Sequence, residues 1–100
     1  MKMADINTNL EKFKVTPGAV LIDARSEAEY RSGRIPGSMN LPLQRMPEAL
    51  KLIPDKDTPV FIYCTSGGRS NVAASFLTRS GYTAAVNIGG LNAYKGEIER

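Results

Sequence analysis

The sequence predicts an α/β fold: a central, largely parallel sheet flanked by short helices on both faces. Two unbroken apolar runs, Ala19-Val20-Leu21-Ile22-Asp23 and Val60-Phe61-Ile62-Tyr63, have the composition of strands covered on both sides. Helical patterns with their own start and stop signals lie between such runs. Strands alternating with helices are the signature of parallel pairing.

Taken in order, Thr8-Asn9-Leu10-Glu11 has the spacing of a capping box, which predicts a short helix to about Lys14, ended at Thr16-Pro17-Gly18. The first apolar run follows as a strand. Ser26-Glu27-Ala28-Glu29 repeats the capping-box spacing and predicts a helix to about Ser32, stopped by Gly33. After the turn at Ile35-Pro36-Gly37, Ser38 to Leu41 reads as a short strand. Pro47 suits the first turn of a third helix carrying Ala49, Leu50 and Leu52. Val60 to Tyr63 is the next strand, and a glycine-bearing loop leads into a helix beginning near Ser70. On that helix Val72, Ala73, Phe76 and Leu77 share one face, with Asn71, Ser75, Thr78 and Arg79 opposite, and Gly81 ends it. Thr83 to Ile88 reads as the last strand, and Gly89-Gly90 as a sharp turn into a short terminal helix.

The 100 residues fit one domain, 1–100, with no linker. Apolar residues make up 42% and charged residues 23%, an ordinary soluble composition. No run approaches a membrane span and the first residues lack the apolar core of a signal peptide, so a cytoplasmic protein is expected. A mature periplasmic form with its signal removed would look the same. The net charge of +3 is spread along the chain, with no basic stripe carrying aromatics, so nucleic acid is not an expected partner. The mild positive balance suits small anions or acidic partner surfaces.

One cysteine and no histidine are present. Ser-His-Asp and Cys-His catalysis are therefore excluded, and no zinc site can be assembled from these residues. A lone cysteine fits a reducing compartment.

That cysteine, Cys64, stands at the carboxyl end of a predicted parallel strand, where ligands collect in such folds. It opens the loop Cys64-Thr65-Ser66-Gly67-Gly68-Arg69-Ser70. Gly67 and Gly68 can take positive φ cheaply, letting several N–H groups turn inward. With the positive end of the following helix and Arg69, they form a nest for an anion and favour a thiolate. A thiol pKa lowered to about 6.5 would make the group mostly thiolate at neutral pH and replace the missing base. Taken alone, a buried cysteine reads as a small apolar side chain. Two glycines followed by Arg and Ser are more than a structural connection needs.

The loop, following Val60-Phe61-Ile62-Tyr63, resembles the active-site loop of rhodanese-type sulfurtransferases. Val20-Leu21-Ile22-Asp23-Ala24-Arg25, Glu29-Tyr30 and Gly33 to Pro42 are similar to that family's N-terminal signature, and Asn87 to Leu91 with Tyr94 to its C-terminal one. The resemblance spans nearly the whole chain. It implies a rhodanese-like domain with about five strands, acting without metal or cofactor; a domain this small can work as a monomer.

It also implies a two-step reaction. The Cys64 thiolate takes the outer sulfur of a small anionic donor such as thiosulfate, then hands it from a persulfide to cyanide, a thiol or a protein cysteine. Thr65, Ser66, Gly67, Gly68, Arg69 and Ser70 would bind the substrate. Ser70 fits an ordinary helix N-cap equally well. Cell-cycle dual-specificity phosphatases and arsenate reductases share the fold but place five residues between cysteine and arginine. Here there are four between Cys64 and Arg69, which matches the sulfurtransferase form. A non-catalytic protein-binding module is the third reading.

Asp23 and Arg25 have two readings. They support the site, by steering an anion or orienting the loop, or they form an internal ion pair, which is the commoner arrangement. Arg34 replaces a histidine frequent in the family, an exchange expected to affect local packing. Arg45 is a candidate for the pocket mouth or a solvated bystander. Tyr94 replaces a frequent tryptophan and is expected to be a core aromatic with a polar tip.

Overall fold

The computed structural model describes residues 5–100. Its sheet has four strands, β1 (Val20–Asp23), β2 (Met39–Asn40), β3 (Val60–Cys64) and β4 (Ala85–Gly90), in the order β2-β1-β3-β4, and every pairing is parallel. The count is four rather than about five. The C-terminal segment adds only one isolated antiparallel bridge, in which Arg34 and Glu99 exchange backbone hydrogen bonds at 2.9 and 2.8 Å.

Alternation along the strands feeds two cores. Val20, Ile22, Val60, Ile62 and Ala85 face α3 (Ala49–Leu52) and α4 (Gly68–Arg79), with Met46, Ala49, Ile53, Ala73, Leu77 and Tyr82 filling that layer. Leu21, Phe61, Tyr63 and Ile88 face α1 (Ile6–Lys14), which supplies Ile6, Leu10 and Phe13. Helices therefore cover both faces.

The helix starts differ from the sequence reading in three places. α1 begins at Ile6, and its N-cap is Asp5, which accepts from the Thr8 N–H at 3.0 Å; Thr8 is not the cap. The earlier start brings Ile6 and Leu10 onto one buried face. α2 (Glu27–Ser32) has the expected capping box from Ser26 to Glu29. The third helical segment is a 3-10 turn, Leu43–Glu48, containing Pro47 and running into α3; Leu50 and Leu52 point outward while Met46 and Ala49 are buried.

α4 begins at Gly68 rather than near Ser70, and its buried stripe is Ser70, Ala73, Ala74 and Leu77, an i, i+3, i+4, i+7 set. Val72, expected on the apolar face, is 52% exposed. The stripe is rotated because the helix turns Ser70 toward Cys64. β4 runs two residues past the expected end. Gly89 and Gly90 pair with Tyr63 and Cys64 instead of forming a turn, and a bulge leaves Ile88 without a partner on β3. The chain then makes a single 3-10 turn, Leu91–Ala93.

Among the described residues no helix is long and apolar enough to cross a membrane.

Candidate active site

Cys64 is the last residue of β3, at the carboxyl edge of the sheet, and is 1% exposed. The chain turns sharply after it. Gly67 adopts a left-handed conformation (φ 99°), which costs glycine little, while Gly68 does not share it and is the first residue of α4. One glycine, not two, supplies the positive φ.

This turn aims donors at sulfur. The N–H of Gly67 donates to Cys64 Sγ at 3.0 Å, and the N–H of Ser70 at 3.4 Å. Ser70 Oγ lies 3.3 Å from Sγ. Ser70 is therefore not the N-cap of α4; it stands inside the first turn, fully buried, with its hydroxyl on the sulfur. Burial pushes the Cys64 thiol up. The Ser70 hydroxyl and the N–H groups of Ser70, Gly67 and Ser66 outweigh that penalty and hold it below its ordinary value.

A residue overlooked in the sequence completes the arrangement. Asn87, on β4, accepts from Ser70 Oγ at 2.7 Å and from the Gly89 N–H at 3.0 Å, and its Nδ2 donates to the Gly67 carbonyl at 3.1 Å. The amide thus grips the loop at its tightest point and orients the hydroxyl beside sulfur. In the sequence it stands out only as an Asn that interrupts the apolar pattern of a strand and as the first residue of the stretch similar to the family's C-terminal signature. Gly90 contributes by lacking a side chain: a Cβ there would lie 2.6 Å from Ser66 Cα and closer still to the Thr65 carbonyl oxygen. The loop rests directly on the end of β4.

Arg69 does not face the sulfur as an unpaired guide. Its two terminal nitrogens donate to Glu29 at 2.7 and 3.0 Å, and Nη2 reaches Thr65 Oγ1 at 3.2 Å. Glu29 also accepts from the Ser26 N–H at 3.0 Å as part of the α2 capping box. The Arg69 hydrogen bonds, then that of the Ser26 N–H, hold this carboxyl far below the usual range.

Asp23 and Arg25 form the internal pair. Asp23 is fully buried and takes Arg25 Nη2 at 2.8 Å, Nε at 3.1 Å and the Arg25 N–H at 2.8 Å. Arg25 Nη2 also donates to the Gly33 carbonyl at 2.6 Å, which ties β1 to the end of α2. Neither side chain makes a hydrogen bond to the cysteine loop, so their support for it is through the frame. Arg34 grips the C-terminal segment, with Nε on Glu99 at 3.0 Å and its guanidinium over the Tyr30 ring. Arg45 is held by Glu48 at 2.8 and 3.0 Å and by Glu27 at 2.9 Å. Tyr94 packs on the α1 side of the sheet and turns its hydroxyl to the Glu97 carbonyl at 2.9 Å.

The site therefore presents a buried, acidified thiol in a cup of N–H donors, and among the described residues no side chain is placed as a general base. Such a cup suits a sulfur that attacks as thiolate and needs no proton transfer.

Comparison with known proteins identifies the family. Residues 3–97 match the model of the rhodanese-like domain. A protein named sulfurtransferase from Allochromatium vinosum is 40% identical over 85 residues, 84% of this chain and 78% of its own length. The thiosulfate sulfurtransferase PspE of Escherichia coli is 37% identical over 71 residues, 70% of this chain and 68% of that protein. A solved structure described as rhodanese with anions from E. coli superposes with a TM-score of 0.76 at 31% identity, covering 82% of this chain and 98% of that one. A match of this length, with relatives this similar, makes the chain a member of the rhodanese-like family.

Proposed function

We propose that this protein is a sulfurtransferase that carries sulfane sulfur on Cys64. The observation that bears most of the weight is the polar cup at Sγ, with the N–H groups of Gly67 and Ser70 donating and Ser70 Oγ 3.3 Å away, around a thiol held below its ordinary pKa. Thiosulfate is a donor of the fitting chemistry. The thiolate attacks its outer sulfur, the S–S bond of thiosulfate breaks, and sulfite leaves with the bonding pair. The new S–S bond is a Cys64 persulfide, whose outer sulfur is stabilised by the same N–H donors. A thiophilic acceptor, cyanide, a thiol or a protein cysteine, then takes that sulfur and returns Cys64 as thiolate. Attack on thiosulfate by the thiolate moves no proton, nor does transfer to cyanide; a thiol or protein cysteine takes the sulfur as its thiolate, its proton having gone to solvent. Since the chain has one cysteine, the acceptor is a separate molecule. A monomer in the reducing cytoplasm suits a single free thiol of this kind.

The phosphatase or arsenate-reductase alternative draws less support. An oxyanion cradle needs its arginine for the oxyanion, and both arms of Arg69 are bound to Glu29.

Intact-protein mass spectrometry under non-reducing conditions tests the proposal. Thiosulfate should add the mass of one sulfur atom, cyanide should remove it, and Cys64→Ser should abolish the gain. No adduct on the wild-type protein, with thiosulfate or with any persulfide donor, overturns it.

A further inference from the structure

The arginines that the sequence offers as guides for an anionic donor are all engaged. Arg25 is matched by buried Asp23, Arg69 by Glu29, and Arg45 by Glu48 and Glu27. Glu27 and Glu29 both belong to the first turn of α2, so one short helix binds the cysteine loop on one side and the 3-10 segment on the other. Across these two surface contacts, two arginines meet three glutamates. Neither contact therefore leaves a guanidinium without a carboxylate partner.

Glu29 is central to this. Oε1 receives Arg69 Nη1 and the Ser26 N–H, and Oε2 receives Arg69 Nη2 at 3.0 Å and Thr65 Oγ1 at 3.4 Å. Thr65 follows Cys64 and Arg69 lies in the first turn of α4, so one carboxylate ties the two sides of the turn together and cancels the one cation of the loop. A second negative charge on an incoming donor gains nothing from Arg69 and meets Glu29.

We propose that Glu29 sets the donor preference of the loop: it disfavours the thiosulfate dianion and favours sulfane sulfur delivered by singly charged donors such as thiosulfonates and thiol persulfides. This rests on the sulfurtransferase reading above. The chemistry is unchanged between donors: the Cys64 thiolate attacks the terminal sulfur, the S–S bond of the donor breaks, and sulfite, a sulfinate or a thiolate leaves with the electron pair. Glu29 acts through Arg69 and Thr65 and is a positioning residue.

The test compares thiosulfate with methanethiosulfonate, which presents the same terminal sulfur with one charge fewer. Glu29→Gln keeps the size and the acceptor oxygen of the cap but removes the charge. Its kcat/KM for thiosulfate, relative to the thiosulfonate, should rise roughly three- to tenfold at low salt, mainly through KM. The rise should shrink as salt screens the charge, and Glu29→Asp should restore the wild-type ratio. If Glu29→Gln does not fold, the wild-type protein carries the test alone: added salt should raise its relative efficiency with thiosulfate. A donor ratio that ignores both the substitution and salt, or a thiosulfate preference that falls with salt, overturns the proposal. Sulfur gained from both donors with an unmoved ratio removes only the role of Glu29; sulfur gained from neither removes the sulfurtransferase reading itself.

Discussion

Replacing Ser70 with alanine should raise the pKa of Cys64 by about one unit. In the thiol state the Cys64 S–H can donate to Ser70 Oγ, whose own proton goes to Asn87 Oδ1 at 2.7 Å. In the thiolate state only the hydroxyl can donate to sulfur, and it must leave Asn87 to do so. A hydrogen bond to a charged group is worth about 1.5–3 kcal/mol, and the bond forfeited at Asn87 about 1 kcal/mol. The difference, roughly 0.5–2 kcal/mol in favour of the thiolate, corresponds to about 0.4–1.5 in pKa. Alanine keeps the Ser70 N–H, so the backbone donors on sulfur survive the change. The midpoint of thiolate formation can be read from the ultraviolet absorbance of the thiolate, or from the pH dependence of alkylation by iodoacetamide. The variant midpoint should move upward. Where the thiol form predominates at neutral pH, a midpoint higher by one pH should slow alkylation about tenfold. A midpoint that stays in place or moves down, in a variant with native circular dichroism, refutes the account of how this thiol is activated.

Other substitutions probe the frame. Gly90→Ala forces a Cβ against backbone on two sides, so it should cost about 3 kcal/mol in urea unfolding and displace the loop enough to slow persulfide formation. Asp23→Asn leaves the Arg25 guanidinium buried without its counter-charge and should destabilise by about 3–5 kcal/mol, with the Cys64 midpoint little changed in whatever fraction folds. The folded Glu29 carboxyl titrates below its unfolded value, so its contribution to stability is complete above the unfolded pKa of about 4.3 and fades as pH falls through the folded one. Unfolding of wild type and Glu29→Gln should therefore differ by a constant amount from about pH 6 upward. The two curves should converge in acid; a gap that widens there contradicts the ion pair.

Much of this architecture was legible because it is local. The apolar runs at β1 and β3, the Ser26 capping box and the cysteine-to-helix loop each announce themselves within a few residues. The misreadings arise where two local choices compete. Asp5 and Thr8 both offer a capping oxygen, and Asp5 prevails because the earlier start buries Ile6 together with Leu10. Gly89-Gly90 looks like a turn in isolation, yet extended pairing is retained because Gly90 must lie flat beneath Thr65 and Ser66. The grip of Asn87 on the loop was beyond reach for a different reason. It touches residues 17 and 20 positions earlier, and only the adjacency of β3 and β4 joins them. Likewise the sequence shows Glu29 and Arg69 but not that one consumes the other.

The bulge at Ile88 has a consequence for anyone who would move this chemistry elsewhere. By adding one residue to β4, it lets Asn87 stay beside Ile62 while Gly90 arrives opposite Cys64. Grafting the segment from Cys64 to Ser70 onto another parallel sheet would transplant the nucleophile and its turn without the clasp or the clearance that shape them. Shortening β4 by that single residue would disarm the protein without altering one letter of its loop. The heritable unit of the site is a pair of neighbouring strands, one of them deliberately out of step.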